Sequence, residues 1–292
     1  MAMQRKWVPI VVVLGVVLVI VGIALYRVKK SRHQNDLLNA AAAAIENGDA
    51  QGLRKAIATL DPDSLYGATG SPSLASQLMG DHEIEHGSAL LMMACGCHRL
   101  LDLNQTCAPL VQTLIDRGAR ADIMGAYGKT PLMAACEYGD FPTVKILLDH
   151  GARAQVKDAN GFSPLFLAVH NQSNPSRNQI VAALLAHGAD PNSEAMGGTP
   201  IQMTSDYEVI SMLVAAGADV NRIWHTITPL MVAARNGNLK TVKLLADHGA
   251  QLDLRDARGR DAAAFAQLSH HPDIVRLLQS RRHQPALAAK RP

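Results

Sequence analysis

The chain has 292 residues, enough for one extended repeat domain or two compact ones. Aromatic residues make up only 4% of it, so small and aliphatic side chains must do the packing. The formal charge of +3 hides two parts of opposite sign: six basic and no acidic residues precede Asp36, and the remaining 22 basic and 25 acidic residues set the rest at about −3, which excludes nucleic acid as the partner of that part.

The first feature in chain order is the uncharged stretch Trp7–Tyr26, behind a short basic tail at residues 1–6. As a helix its twenty residues reach roughly 30 Å, the thickness of a bilayer core. Trp7 and Tyr26 stand at its ends, and Arg27, Lys29, Lys30 and Arg32 follow in a linker at residues 27–35. The pattern predicts a single transmembrane helix; the alternative is a signal peptide cleaved after Gly22-Ile23-Ala24. The basic excess behind the span leans towards a repeat domain on the cytoplasmic side of a bacterial inner membrane, with the periplasmic side as the other arrangement.

Beyond the linker, Leu37–Leu60 reads as two helical stretches around Asn47-Gly48-Asp49, and Tyr66–Gly80, rich in Gly, Ser and Pro, as a loop. His82-Glu83-Ile84-Glu85-His86 fits H-E-x-x-H, in which two histidines one helical turn apart hold zinc and the glutamate activates water. It supplies the alternative functional reading, a zinc-dependent hydrolase. Cys95 and Cys136 recur at one small-residue position of successive units and read as buried. Cys97 and Cys107 would pair only in an oxidising compartment, so a cytoplasmic domain leaves all four thiols free.

The chain then repeats itself. Gly128-Lys129-Thr130-Pro131-Leu132-Met133-Ala134-Ala135, followed by Tyr138-Gly139-Asp140, Val144–Leu148 and His150-Gly151-Ala152, is the clearest unit. Gly-Ala pairs beginning at Gly118, Gly151, Gly188, Gly217 and Gly249 are spaced by 33, 37, 29 and 32 residues. Thr130-Pro131, Thr199-Pro200 and Thr228-Pro229, with Ser163-Pro164 as a variant, offer a hydroxyl N-cap and a proline at the first helical position, where its missing N–H costs nothing. One unit alone cannot bury its apolar face, so stability must come from stacking neighbours.

These units resemble the ankyrin repeat. The resemblance covers residues 36–283 and implies an all-α ankyrin-repeat solenoid of about six helix-turn-helix units with β-hairpin finger loops, followed by a basic tail at residues 284–292. The unit from Gly161 carries an insertion at Asn171–Ser176. The one from Thr199 to Ala216 is shortened, with Ser205-Asp206-Tyr207 where the turn between helices belongs, and Gly259–Ser280 ends the stack. In this register Gly87 aligns with Gly128, which sets His82–His86 on a finger loop instead of a helix and argues against a zinc site.

The resemblance implies a non-enzymatic scaffold with no cofactor, metal or small-molecule substrate, holding a protein partner on its fingers and first helices. Finger positions are Tyr127, Lys157, Met196, Trp224, His225, Arg255 and Arg258. First-helix positions are Glu137, Tyr138, His170, Asp206, Tyr207, Arg235 and Asn236. Trp224 has no evident core duty and is expected to serve the partner. His150, His187 and His248 each precede a Gly-Ala pair and are expected to cap helix ends. The concrete forms of such a scaffold are an immunity or inhibitor protein that captures a toxin or lipid-degrading enzyme, and an accessory factor of an exported enzyme.

Overall fold

The computed structural model describes residues 106–283 without interruption, residues 49–58, and pieces within 40–47 and 91–95. They fall into two compact units, residues 1–160 and 161–292. The first unit contains α1 (Ala50–Ala58), α2 (Ala108–Asp116), a 3-10 turn at Ala126–Gly128, α3 (Pro131–Tyr138) and α4 (Phe141–Asp149). The second contains α5 (Pro164–His170), α6 (Arg177–Ala186), a 3-10 turn at Pro200–Gln202, α7 (Tyr207–Ala215), α8 (Pro229–Arg235), α9 (Leu239–Asp247), α10 (Ala262–Leu268) and α11 (Pro272–His283).

Helices of seven to ten residues are too short to hold in water by themselves. Several begin on a prepared start instead: the hydroxyls of Thr130, Ser163 and Thr228 accept hydrogen bonds from the N–H of Met133, Phe166 and Met231 at 3.2, 3.1 and 3.3 Å. Packing supplies the rest. Leu132, Met133, Ala135, Cys136, Val144 and Leu147 are fully buried in the first unit, and Leu165, Phe166, Ile180, Leu230, Ala234 and Leu245 in the second. Small residues at the helix contacts, such as Ala134-Ala135 and Ala233-Ala234, let axes approach where larger side chains would hold them apart.

Polar groups, one of them the buried Asp140, tie successive repeats together. The carboxylate of Asp140, 2% exposed, accepts from the Thr106 hydroxyl and the Cys107 N–H, both at 2.8 Å, and from the Thr143 hydroxyl at 2.6 Å and its N–H at 3.3 Å. In the second unit Asn192 donates to the Gly217 carbonyl at 3.0 Å and accepts from the Asp219 N–H at 2.7 Å. One repeat on, Asn221 does the same with Gly249 and Gln251. At the helix ends, Nδ1 of His150, His187 and His248 stands 2.8 Å from the carbonyls of Ile146, Ala183 and Leu244, so each imidazole adds a second hydrogen bond to a carbonyl that already accepts the same residue's backbone N–H at 3.1 Å.

Two expectations are corrected. Among the described residues no helix is long and apolar enough to cross a membrane. The longest described helix, the twelve residues Pro272–His283, rises about 18 Å against the roughly 30 Å of a bilayer core. Residues 7–26 lie outside the described residues, so the transmembrane helix ahead of the repeats, and the single-pass placement in a bacterial inner membrane with it, is withdrawn. The cysteines are also not all free: Cys107 is disulfide-bonded, whereas Cys95 and Cys136 are free and buried. Burial pushes both free thiols upward, and the Asp140 carboxylate adds to the rise at Cys95.

Candidate protein-interaction surface

Among the described residues Tyr127 and Met196 are exposed at finger tips, 66% and 69%, and Ile223 is 52% exposed at the base of the next finger; Leu268, at a helix end, is 61% exposed. The form of the tips follows from the backbone. Each tip turns on two consecutive left-handed residues, with φ of 57° and 73° at Tyr127-Gly128, 54° and 78° at Met196-Gly197, and 47° and 70° at His225-Thr226. In the latter two fingers a two-residue hairpin closes on an antiparallel bridge, Ala195 to Gly198 and Trp224 to Ile227, with reciprocal N–H to carbonyl bonds of 3.0 Å. Glycine takes the second position at Gly128 and Gly197 without strain, but Thr226 is β-branched and held in a conformation such residues rarely adopt.

In the first unit Glu137 is exposed and pairs with Lys129 at 2.9 Å, while Tyr138 is half-buried in the last turn of its helix. In the second unit His170 is exposed at its helix end and stacks on Phe166 at 6.2 Å between ring centroids. Asp206 is spoken for twice, capping α7 through the Glu208 N–H at 2.8 Å and pairing with Arg177, so it is as much a structural residue as a surface one. Tyr207 follows it, half-buried at the start of α7. Arg235 and Asn236 end α8 exposed, and Arg255 and Arg258 are exposed on the last finger, Arg255 donating to the Gly259 carbonyl at 2.6 Å. The acids beside them are committed. Asp256 takes a two-pronged bond from Arg260 at 2.8 and 2.7 Å, which holds its carboxyl below the usual range. At Asp261 burial acts upward, but the bond from Arg282 at 2.7 Å and that from the Ala264 N–H outweigh it and leave the carboxyl low.

Trp224 has a packing duty that its sequence position did not show. It is half-buried, its six-membered ring lies against Gly198 of the preceding finger, and its Nε1 rests beside Gly197, buried and without a hydrogen-bond partner among the described residues. The His225 ring packs against the indole, tilted, at 4.7 Å between centroids. A Cβ at Gly198 would stand 3.4 Å from the indole ring, at contact distance, and 2.4 Å from the Met203 methyl, the far end of a flexible side chain. Tyr127 and His225 therefore present themselves as free surface, and Trp224 as the wedge that sets one finger on the next. The motif His82–His86 lies outside the described residues. Among those that are described, no group of three His, Cys, Asp or Glu side chains is placed to hold a metal.

Comparison with known proteins decides the family. Residues 91–195 and 201–287, well over half of the chain, match the model described as Ankyrin repeats (3 copies). The chain belongs to the ankyrin-repeat family. Cyclin-dependent kinase 4 inhibitor B of Rattus norvegicus is 39% identical to it over 112 residues, 36% of this chain and 86% of the relative. Cyclin-dependent kinase inhibitor 2A of Homo sapiens is 39% identical over 109 residues, 36% of this chain and 70% of the relative. Among solved structures, the crystal structure of the human ASB11 ankyrin repeat domain superposes with a TM-score of 0.57 at 25% identity, covering 88% of this chain and 100% of that one. The ankyrin repeats of this protein thus form a scaffold of the kind that serves protein–protein interaction.

Proposed function

We propose that this ankyrin-repeat protein is a non-enzymatic binding protein that holds one protein partner on its finger tips and first helices. The observation that carries the reading is the exposure of Tyr127 and Met196 at left-handed finger tips, with Ile223 exposed at the base of the next finger. Large apolar side chains kept in water on ordered backbone lose little freedom when a partner covers them, which is why such residues concentrate binding energy. The relatives named as kinase inhibitors favour an inhibitory scaffold, in which covering the partner is itself the function.

Site-specific photocrosslinking in the cells that make the protein tests this. p-Benzoylphenylalanine at Tyr127 or His225 should give one discrete adduct, and the same group at the exposed second-helix positions Lys240 or Gln279 should give none. Adducts from the second-helix positions alone would place the partner on the opposite face and overturn the reading.

A further inference from the structure

The shortened repeat leaves a cavity. Where the flanking repeats carry first helices of seven residues, Pro164–His170 and Pro229–Arg235, this one has a three-residue 3-10 turn, Pro200–Gln202. The missing turns would have packed beside α8, and in their place is a space of about 140 Å³. Its apolar walls include Ile201, Ile210, Pro229 and Val232, and its exposed lining residues are Ser205 and Asn236, which sets the mouth at the turns between helices. Among the described residues no ionisable side chain lines it. The Asn236 amide has no side-chain hydrogen bond among the described residues.

One wall residue is in an unusual state. Thr241 is 1% exposed and its hydroxyl has no hydrogen-bond partner among the described residues. The cause is visible by comparison with the first unit, where the equivalent Thr143 hydroxyl donates to the N-cap carboxylate of Asp140 at 2.6 Å. At the second site the N-cap is Asn238. Its oxygen accepts from the Thr241 N–H at 3.1 Å, and its amide nitrogen, a donor, is turned to the Ser205 carbonyl at 3.4 Å, so the hydroxyl loses its acceptor. A buried donor without an acceptor is a standing cost that an incoming acceptor removes.

We infer that this cavity is a specificity slot that receives one uncharged side chain of the protein partner, with an apolar stem and a carbonyl acceptor at its tip for the Thr241 hydroxyl, as in glutamine. The inference rests on the reading of the first-helix side as a partner face. The volume fits: a cavity of about 150 Å³ admits a benzene-sized group of about six non-hydrogen atoms, one more than a glutamine side chain has. The absence of any counter-charge among the described wall residues excludes carboxylate and ammonium tips, whose desolvation nothing there offsets. The free Asn236 amide at the mouth is placed for the partner's backbone on either side of the inserted residue.

Capped pentapeptides acetyl-Ala-Ala-X-Ala-Ala-amide, titrated onto full-length protein with labelled Ile, Val and Thr methyls, give the test by NMR. With X as Gln, the methyls of Ile201, Ile210, Val232 and Thr241 should shift saturably with a Kd on the order of 1 mM, the range open to a single small group. With X as Met, which keeps the stem and lacks the acceptor, binding should weaken about tenfold. With X as Glu it should weaken at least as much, and with X as Ala vanish. Free propionamide, the glutamine tip without its chain, should bind at least tenfold more weakly than the Gln peptide. Thr241→Val should erase the preference of Gln over Met, and Val232→Phe or the exposed Asn236→Phe should abolish binding. Equal binding of the Glu or Ala peptide, of propionamide, or of the Gln peptide to both phenylalanine variants overturns the proposal. None of these outcomes touches the crosslinking result at the fingers, so the slot and the partner face fail separately.

Discussion

Replacing Thr226 by glycine should stabilise the protein although it removes atoms and adds no contact. The threonine is exposed at φ 70°, the second of two left-handed residues in a two-residue hairpin, and its side chain makes no hydrogen bond among the described residues. An L-residue held there costs about 1 to 2 kcal/mol, more at the upper end for a β-branched one. Glycine removes that strain but gives back roughly 0.5 to 1 kcal/mol through the freedom it adds to the unfolded chain. The net expectation is a gain of about 0.5 to 1 kcal/mol, or roughly 2 to 3 °C in Tm for a domain of this size. Equilibrium urea denaturation checks it: the midpoint should rise with an unchanged m-value, because the surface exposed on unfolding is nearly the same. Gly197→Thr, the reverse exchange in the neighbouring finger, should lower the midpoint by at least as much, since Gly197 has φ 78° and a Cβ there would also meet the Trp224 indole nitrogen at 3.6 Å. A midpoint for Thr226→Gly at or below that of the parent would show that the surrounding finger does not hold Thr226 in this conformation, and the strain argument would fail.

Gly237→Ala should cost about 2 kcal/mol in urea denaturation, because φ is 73° and the new Cβ would stand 2.4 Å from Cε1 of His271, whose ring bonds the Arg235 carbonyl at 3.2 Å. Trp224→Ala should lower stability by about 1 to 2 kcal/mol through the loss of its half-buried ring from Gly198, so an unchanged Tm would contradict the wedge. Thr241→Val should raise stability by about 1 kcal/mol, since it removes a buried donor that has no acceptor among the described residues. Asp256 and Asp261 are held below their unfolded pKa values of about 4, so their stabilising effect is present above that pH and is lost as pH falls through the lower folded values. Thermal melts should therefore steepen in their decline below about pH 4, and Asp261→Asn, less stable at about pH 7, should show a shallower acid limb than the parent.

The repeat architecture was legible from sequence because its causes are local and recur. A hydroxyl before proline, a Gly at a helix end and a rhythm of about 33 residues each act within a short stretch of chain, and their repetition multiplies a weak signal. Histidine at the helix end belongs to the same class, and Nδ1 of His150, His187 and His248 finds its carbonyl within its own helix. The shortened repeat could also be read off, since Ser205-Asp206-Tyr207 visibly arrives too early. What that shortening does to its neighbours could not. The cavity exists only because Ile201, Val232 and Thr241 come from three elements that stacking brings together, and the orphaned hydroxyl depends on which way the Asn238 amide turns. Trp224 shows the same division. Its place on a finger follows from the repeat register, but its burial against Gly198, 26 positions earlier, is a contact between repeats that no local pattern encodes. Sequence by itself determined the ankyrin-repeat fold, because backbone preferences are set by nearest neighbours. Only the tertiary structure decided which of the finger residues are free and which are wedges, because that depends on what the adjoining repeat places opposite them.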